Sequence, residues 1–299
     1  MTDKHKHSSK ARKPKRKNRK NRPSQPRSAP QKGAEPVMRD GRRTIAADHE
    51  SIKGRDWIYG THAVLAALAN PDRSCLRIAL AEKASEAMES QIMEACRSVS
   101  GRPDPERMDR DRIAALLPPG AVHQGVALLA SPLEDTAIED VVRETKEIAQ
   151  ACVVVLDQAT DPRNVGAVMR SAAAFGASAV VVQDRHAPPV TGALSKAASG
   201  AVEWVPLVRT VNLARAIAIL KEAGFWAVGL DGGAERTLAQ ADLSGRVALV
   251  LGAEGSGLRR LTRDTCDELL KVPVAVGSDS LNLSNAAAVA LYELNRTRT

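Results

Sequence analysis

From Ala151 onward the chain alternates short apolar runs with segments of helical spacing. The runs Cys152–Leu156, Ala179–Gln183, Trp204–Leu207, Phe225–Leu230, Val247–Leu251 and Leu269–Val272 predict strands. Between and after them, Val165–Phe175, Gly192–Ser199, Leu213–Ala223, Leu258–Cys266 and Ser284–Arg296 predict helices. Several of the strands are unbroken (VVVL, AVVV, VALVL) rather than alternating. That is the pattern of a parallel sheet covered on both faces. Upstream, Gly60–Leu68 predicts a helix ended by Asn70-Pro71, followed by a strand at Cys75–Ala81 and a helix over Ser85–Ser98. A short helix at Asp109–Leu117 stops at Pro118-Pro119-Gly120, and His123–Leu129 predicts a further strand. The resulting division is a leader over 1–55, a small α/β domain over 56–131, a connecting segment over 132–150 with one amphipathic helix around Ile138, Val141 and Val142, and an α/β domain over 151–299.

Charge changes this picture at one end. Residues 1–44 hold 16 Lys/Arg against three acids, a net +13, so the other 255 residues carry −5 of the overall +8. With five prolines and little apolar content, this leader cannot bury enough surface to offset its ordering entropy, and disorder is expected. Such a polycation suits a polyanion through counterion release; a solubilising tail or an address signal is the plainer alternative. No run of about 18 apolar residues is present, so no spanning helix is expected. The leader lacks the apolar stretch of a secretory signal. Cys75, Cys96, Cys152 and Cys266 are far apart, which argues against a disulfide framework or a zinc site and for a reducing cytoplasm.

Ligands of parallel sheets bind beyond the carboxyl ends of the strands, and three clusters lie there. After the first strand comes Asp157–Arg170. Val165, Val168, Met169, Ala172 and Phe175 form an apolar stripe, while Arg163, Gly166, Ala167, Arg170 and Ala174 form a small-residue face open to something bulky. Asn164 reads equally well as a helix cap. The second cluster, Gly252-Ala253-Glu254-Gly255-Ser256-Gly257, has neither the dinucleotide spacing G-x-G-x-x-G nor the Lys-Ser/Thr of a P-loop. Its glycines permit close backbone approach, and Glu254 suits a hydroxyl or an amine better than a phosphate. The third, Lys271–Asn285, places Ser280, Asn282 and Ser284 on alternating positions before an Ala-rich helix, with Ser284 as the natural N-cap.

Together the clusters resemble the SpoU (TrmH-like) family of RNA ribose 2′-O-methyltransferases, over about residues 150–296. The carriers are N-x-G-x-x-x-R (Asn164, Gly166, Arg170), L-G-A-E-G-x-G-L (Leu251–Leu258) and V-P with S-L-N-x-S (Val272-Pro273, Ser280–Ser284). Ile58–Val64 and His123–Gly125 resemble the RNA-recognition domain of the ribosomal-RNA branch. The resemblance implies a SPOUT-type trefoil-knotted, mostly parallel sheet with helices on both faces, preceded by a small RNA-binding domain. It implies S-adenosylmethionine as cofactor, held by Gly252, Val272, Leu281 and, more weakly, Leu230. It implies a homodimer and no metal. Arg170 is then the activator of the ribose hydroxyl, by electrostatics rather than as a base. Asn164 positions Arg170 or the ribose, Glu254 orients Arg170 or the substrate, and Ser280 and Asn282 line the site. Arg163, His62, His123 and Gln124 are RNA-contact candidates, with satisfied structural histidines as the alternative. Asp279 and Leu283-Ser284-Asn285 depart mildly from the family pattern.

The leading expectation is therefore methyl transfer to a ribose 2′-hydroxyl of RNA, with large-subunit ribosomal RNA, and guanosine, as the expected target. The alternatives are the same chemistry on transfer RNA, a non-catalytic RNA-binding assembly factor on this fold, and a nucleotide-dependent oxidoreductase, which the glycine spacing disfavours.

Overall fold

A computed structural model describes residues 57–275 and 281–296; the basic leader and Ser280 lie outside the described residues. Both sheets belong to one compact unit.

The small sheet is built from β1 (Trp57–Tyr59), β2 (Cys75–Ala81), β3 (Pro105–Met108) and β4 (Val126–Ala130), in the order β1-β4-β2-β3. β4 runs antiparallel to β1 and β2, and β3 lies parallel on the edge beside β2. Helices α1 (Thr61–Ala69) and α2 (Glu86–Ser98) cover one face through Val64, Leu68 and Ile92. The short helix α3 (Arg110–Ala115) covers the other through Ile113. Ser85 and Asp109 cap α2 and α3, each accepting a backbone N–H in the first turn. β1 and β3 escape a periodicity reading. The first has three residues, and the second (PERM) opens on proline and carries charge at an edge.

After α4 (Ile138–Glu144) the chain enters a six-stranded, all-parallel sheet, order β10-β8-β9-β5-β6-β7. Its strands are β5 (Ala151–Leu156), β6 (Ala179–Gln183), β7 (Leu207–Thr210), β8 (Trp226–Leu230), β9 (Arg246–Leu251) and β10 (Glu268–Leu270). β5 shows why the runs are unbroken: Cys152, Val154 and Leu156 enter one core while Ala151, Val153 and Val155 enter the other. α5 (Pro162–Ala174), α6 (Gly192–Ala197) and α9 (Leu283–Arg296) cover the first face, and α4 and α7 (Leu213–Glu222) cover the second, beside α8 (Arg260–Thr265). With so few aromatic residues, Val, Leu and Ala fill both cores.

The strand expected at Trp204–Leu207 is corrected. Gly200, at φ 87, opens a 3-10 turn over Ala201–Glu203, Trp204 is left exposed, and the strand begins only after Pro206. The apolar run spans two elements. β10 stops short of its expected Val272 because Lys271 pairs with Arg236 and Leu238 instead. Among the described residues, no helix is long and apolar enough to cross a membrane, and no group of His, Cys, Asp and Glu is placed to hold a metal ion.

Candidate functional site

The carboxyl end of β5 is fixed first. Asp157, fully buried, accepts the backbone N–H of Arg259 (3.0 Å) and pairs with its guanidinium at 2.7 Å. This ties the end of β5 to the start of α8 and closes the base of the 252–258 loop. Sequence reasoning gave Asp157 no role, although a lone acid ending the run VVVL was the available signal.

The loop itself is a tight, self-contacting turn. The Gly257 N–H donates to the Ala253 carbonyl (2.9 Å), and Gly255 and Gly257 adopt φ of 77 and 65. A Cβ on Gly252 would sit 2.1 Å from the Gly257 carbonyl carbon and 2.3 Å from the Leu258 nitrogen. Gly252 therefore lets two backbone strands touch. Gly252→Ala is expected to lower stability by about 1–3 kcal/mol through overpacking, read as a fall in the melting temperature; an unchanged melt would mean that the loop yields freely.

Three loops meet at Glu254. Its Oε1 accepts Asn164 Nδ2 from α5 (3.0 Å), Asn282 Nδ2 (2.5 Å) and the Leu283 N–H at the start of α9 (3.2 Å). Asn282 Nδ2 also lies 3.2 Å from Asn164 Oδ1. Among the described residues nothing bonds Glu254 Oε2, and the residue is exposed. The expected capping roles move by two or three residues. Asp161, not Asn164, caps α5, with Pro162 in the first turn, which frees Asn164 for Glu254. Asn282, not Ser284, caps α9, accepting both the N–H (2.9 Å) and the hydroxyl (2.6 Å) of Ser284.

Beside this junction is a cleft of about 410 Å³. Leu230, Gly252, Val272 and Leu281 all line it, with Asp231 and Glu254 as its carboxylates. Its arginine, Arg263, is paired with Asp231 at 2.9 Å. Cys266, packed beneath near Gly229, has its thiol pushed up to about 12 by burial and then by Asp267, so it is no nucleophile at neutral pH.

The small-residue face expected on α5 is not open throughout. A Cβ on Gly166 would lie 2.7 Å from the Ala197 Cβ and from the Leu194 carbonyl, so this glycine seats α6. Arg163 and Arg170 are exposed and seven residues apart, hence on one side of the helix. Neither is in an ion pair among the described residues, and Glu254 is bonded to the asparagines rather than to Arg170.

The upstream candidates cluster where β1 meets α6. Gln124, at φ 58, uses its Oε1 to accept the Thr61 N–H at the start of α1 (3.1 Å). His123 Nδ1 accepts the Gly125 N–H (3.2 Å), and burial, then Arg110 and Lys196, hold its ring below the ordinary histidine range. His62 is exposed. Sequence reasoning missed Lys196, whose ammonium lies 5.9 Å from the Tyr59 ring centroid and donates to the Val122 carbonyl. Burial raises the Tyr59 hydroxyl, and the charge of Arg163 pulls it the other way.

Residues 151–292 match the SpoU rRNA Methylase family, and residues 57–136 match the RNA 2′-O ribose methyltransferase substrate-binding domain. A Vibrio cholerae protein named 23S rRNA (guanosine-2′-O-)-methyltransferase RlmB is 40% identical over 245 residues, which are 81% of this chain and 96% of that protein. A Synechocystis protein named as an uncharacterized tRNA/rRNA methyltransferase is 39% identical over 81% of this chain, and the chain spans 63% of its length. Among solved structures, the SpoU methyltransferase AviRb from Streptomyces viridochromogenes, in complex with AdoMet, superposes with a TM-score of 0.66 at 24% identity, covering 82% of this chain and 91% of that one.

Proposed function

The chain belongs to the SpoU family of RNA ribose 2′-O-methyltransferases, and from that premise we propose that it methylates a ribose 2′-hydroxyl of large-subunit ribosomal RNA, with guanosine as the target nucleoside. The observation that carries this reading is the convergence of three loops on Glu254 beside the glycine-walled cleft.

The cleft suits S-adenosylmethionine. Its volume lies within the ordinary ligand-pocket range of about 300–1,000 Å³. Its walls are apolar side chains and glycine backbone, and its charge is carboxylate with a neutralised arginine, which favours a sulfonium. Leu230, Gly252, Val272 and Leu281 would hold the cofactor. When bound, it supplies an electrophilic methyl group. The protein must then present an oxygen in line and ease the loss of its proton. Glu254 Oε2 is the acceptor available to orient that hydroxyl, held in place because Oε1 is fixed by both asparagines. The S-L-N-x-S motif assigns Ser280 to the same substrate-orienting role. Arg170 supplies positive charge for the neighbouring phosphate, which favours the developing alkoxide without requiring arginine to act as a base.

On this reading the RNA path runs from His62, His123, Gln124 and Lys196 on the small-sheet side to Arg163 and then Arg170 along α5. Gln124 takes part through its amide nitrogen, since its oxygen is used in capping. The leader adds a sequence-independent polycation arm: removing residues 1–44 should weaken RNA binding and flatten its salt dependence. Identical slopes of log affinity against log salt in both proteins would reject that role. The reading also includes cytoplasmic action, the family's trefoil knot, and a homodimer in which a second copy covers Val289 and Tyr292 of α9, which are 43% and 56% exposed.

The test is incubation of the protein with labelled S-adenosylmethionine and unmodified total RNA, followed by mapping of the label. A single 2′-O-methylated ribose in large-subunit RNA is the expected result. Label confined to transfer RNA would move the substrate, and no label in any RNA would leave a binding protein on this fold.

A further inference from the structure

We propose that Arg73 and Glu203 form a positioning latch that sets the angle between the small sheet and the methyl-transfer sheet, and so selects which ribose reaches the site. The inference rests on the reading of the small sheet as the RNA-binding part. Arg73 lies between α1 and β2, and Glu203 lies in the turn after α6, 130 residues away. Their side chains are 4% and 1% exposed. The contact is a two-point fork, with Arg73 Nε to Glu203 Oε2 at 3.0 Å and Nη2 to Oε1 at 2.7 Å. Each guanidinium nitrogen of Arg73 and each carboxylate oxygen of Glu203 has at least one partner. Arg73 Nη1 donates to the Ser131 carbonyl (2.8 Å), where the chain leaves the small sheet. Asn70 Nδ2 donates to Glu203 Oε2 (3.0 Å) and to its carbonyl (3.3 Å). Arg102 braces the loop from behind, donating to the carbonyls of Leu68 (2.9 Å), Arg73 (2.5 Å) and Asn70 (2.5 Å).

The surrounding surface is cut to the same fit. A Cβ on Gly192 would lie 2.2 Å from the Trp57 carbonyl oxygen, and one on Gly200 would lie 2.4 Å from the Ala66 Cβ. β1 and α1 therefore seat directly on α6 and the following turn. Apolar surfaces tolerate sliding, but a planar fork has one geometry. Replacing a buried pair by apolar residues is often neutral for stability, so this pair is better explained by registry than by strength. The Tyr59–Gly60 and His123–Gln124 surface sits on the small sheet, while Arg163 starts α5 of the other. Their separation is fixed only as long as the two sheets do not rock.

The test compares the full chain with Glu203→Gln and with the paired substitution Arg73→Met, Glu203→Leu. Four readouts are taken: hydrogen exchange, the dissociation constant for S-adenosylmethionine, kcat/KM on ribosomal RNA, and the map of methylated riboses. Amides at 57–60 and 199–205 should exchange at least about ten-fold faster in the paired variant, with β5 and β9 unchanged. Cofactor affinity should stay within about two-fold, while kcat/KM on ribosomal RNA falls about 10–100-fold and methyl groups spread to neighbouring riboses. Glu203→Gln should move exchange, kcat/KM and the methylation map the same way by less, with cofactor affinity again unchanged, and it decides the matter if the paired variant does not fold. Unaltered exchange at those amides, or a single methylated ribose at wild-type kcat/KM, overturns the latch. Failure of the wild-type protein to methylate any RNA overturns the functional reading instead, and the exchange readout still decides whether the latch holds the sheets.

Discussion

Alanine at position 170 should reduce methyl transfer by about 10²–10³-fold while leaving the dissociation constant for S-adenosylmethionine within about three-fold. The asymmetry follows from position. Arg170 lies on the exposed side of α5, outside the lining of the cleft, and no side chain among the described residues pairs with it. Its charge is thus free for a phosphate, and its loss leaves the cofactor walls intact. Arg170→Lys keeps the charge but not the planar fork, so it should recover only part of the rate. Single-turnover methylation and cofactor titration measure the two quantities separately. A rate equal to wild type would remove Arg170 from the reaction.

Glu254→Ala should behave differently, weakening cofactor binding and catalysis together. Three donors lose their common acceptor, and hydrogen bonds to a charged group contribute about 1.5–3 kcal/mol each. Because Glu254 is exposed, solvent screening discounts this, and the expected loss is about 10²-fold in kcat/KM, or about 2.7 kcal/mol. Glu254→Gln retains an oxygen that can accept from both asparagines, so its cofactor affinity should fall by less than about ten-fold. If alanine lowers kcat alone with cofactor affinity untouched, Glu254 acts on the substrate and does not organise the loops.

Much of this architecture was legible because burial on both faces writes itself into the sequence. β5, β6 and β9 are near-continuous Val, Leu and Ala, and their boundaries follow from the apolar runs to within one residue. Where apolar residues served two elements, as in Trp204–Leu207, or where an edge strand carried charge, as in Pro105–Met108, the pattern misled or fell silent. At the site, Asn164, Glu254 and Asn282 were selected by motif, but their mutual hydrogen bonds depend on cap assignments that the sequence left ambiguous. Asp161 and Pro162 had to start α5 before Asn164 could turn toward Glu254. Gly166 looked like room for a ligand and is room for α6, since a missing side chain does not say which neighbour fills the space. Arg73, Glu203 and Lys196 carried no local signal at all. Each matters through a partner or neighbour 74 to 137 residues away, or at intermediate separations, which no window of the sequence contains.

The notches at Gly192 and Gly200 also bear on what could be exchanged between relatives. A chimera that joined a foreign recognition module to this catalytic half at the connecting segment would bring its own first strand and helix onto those glycines. Only modules offering a bare carbonyl opposite Gly192 and a residue no larger than alanine opposite Gly200 would seat. Grafts made by matching linker length alone should express as two tethered bodies that still load the cofactor but no longer agree on a target.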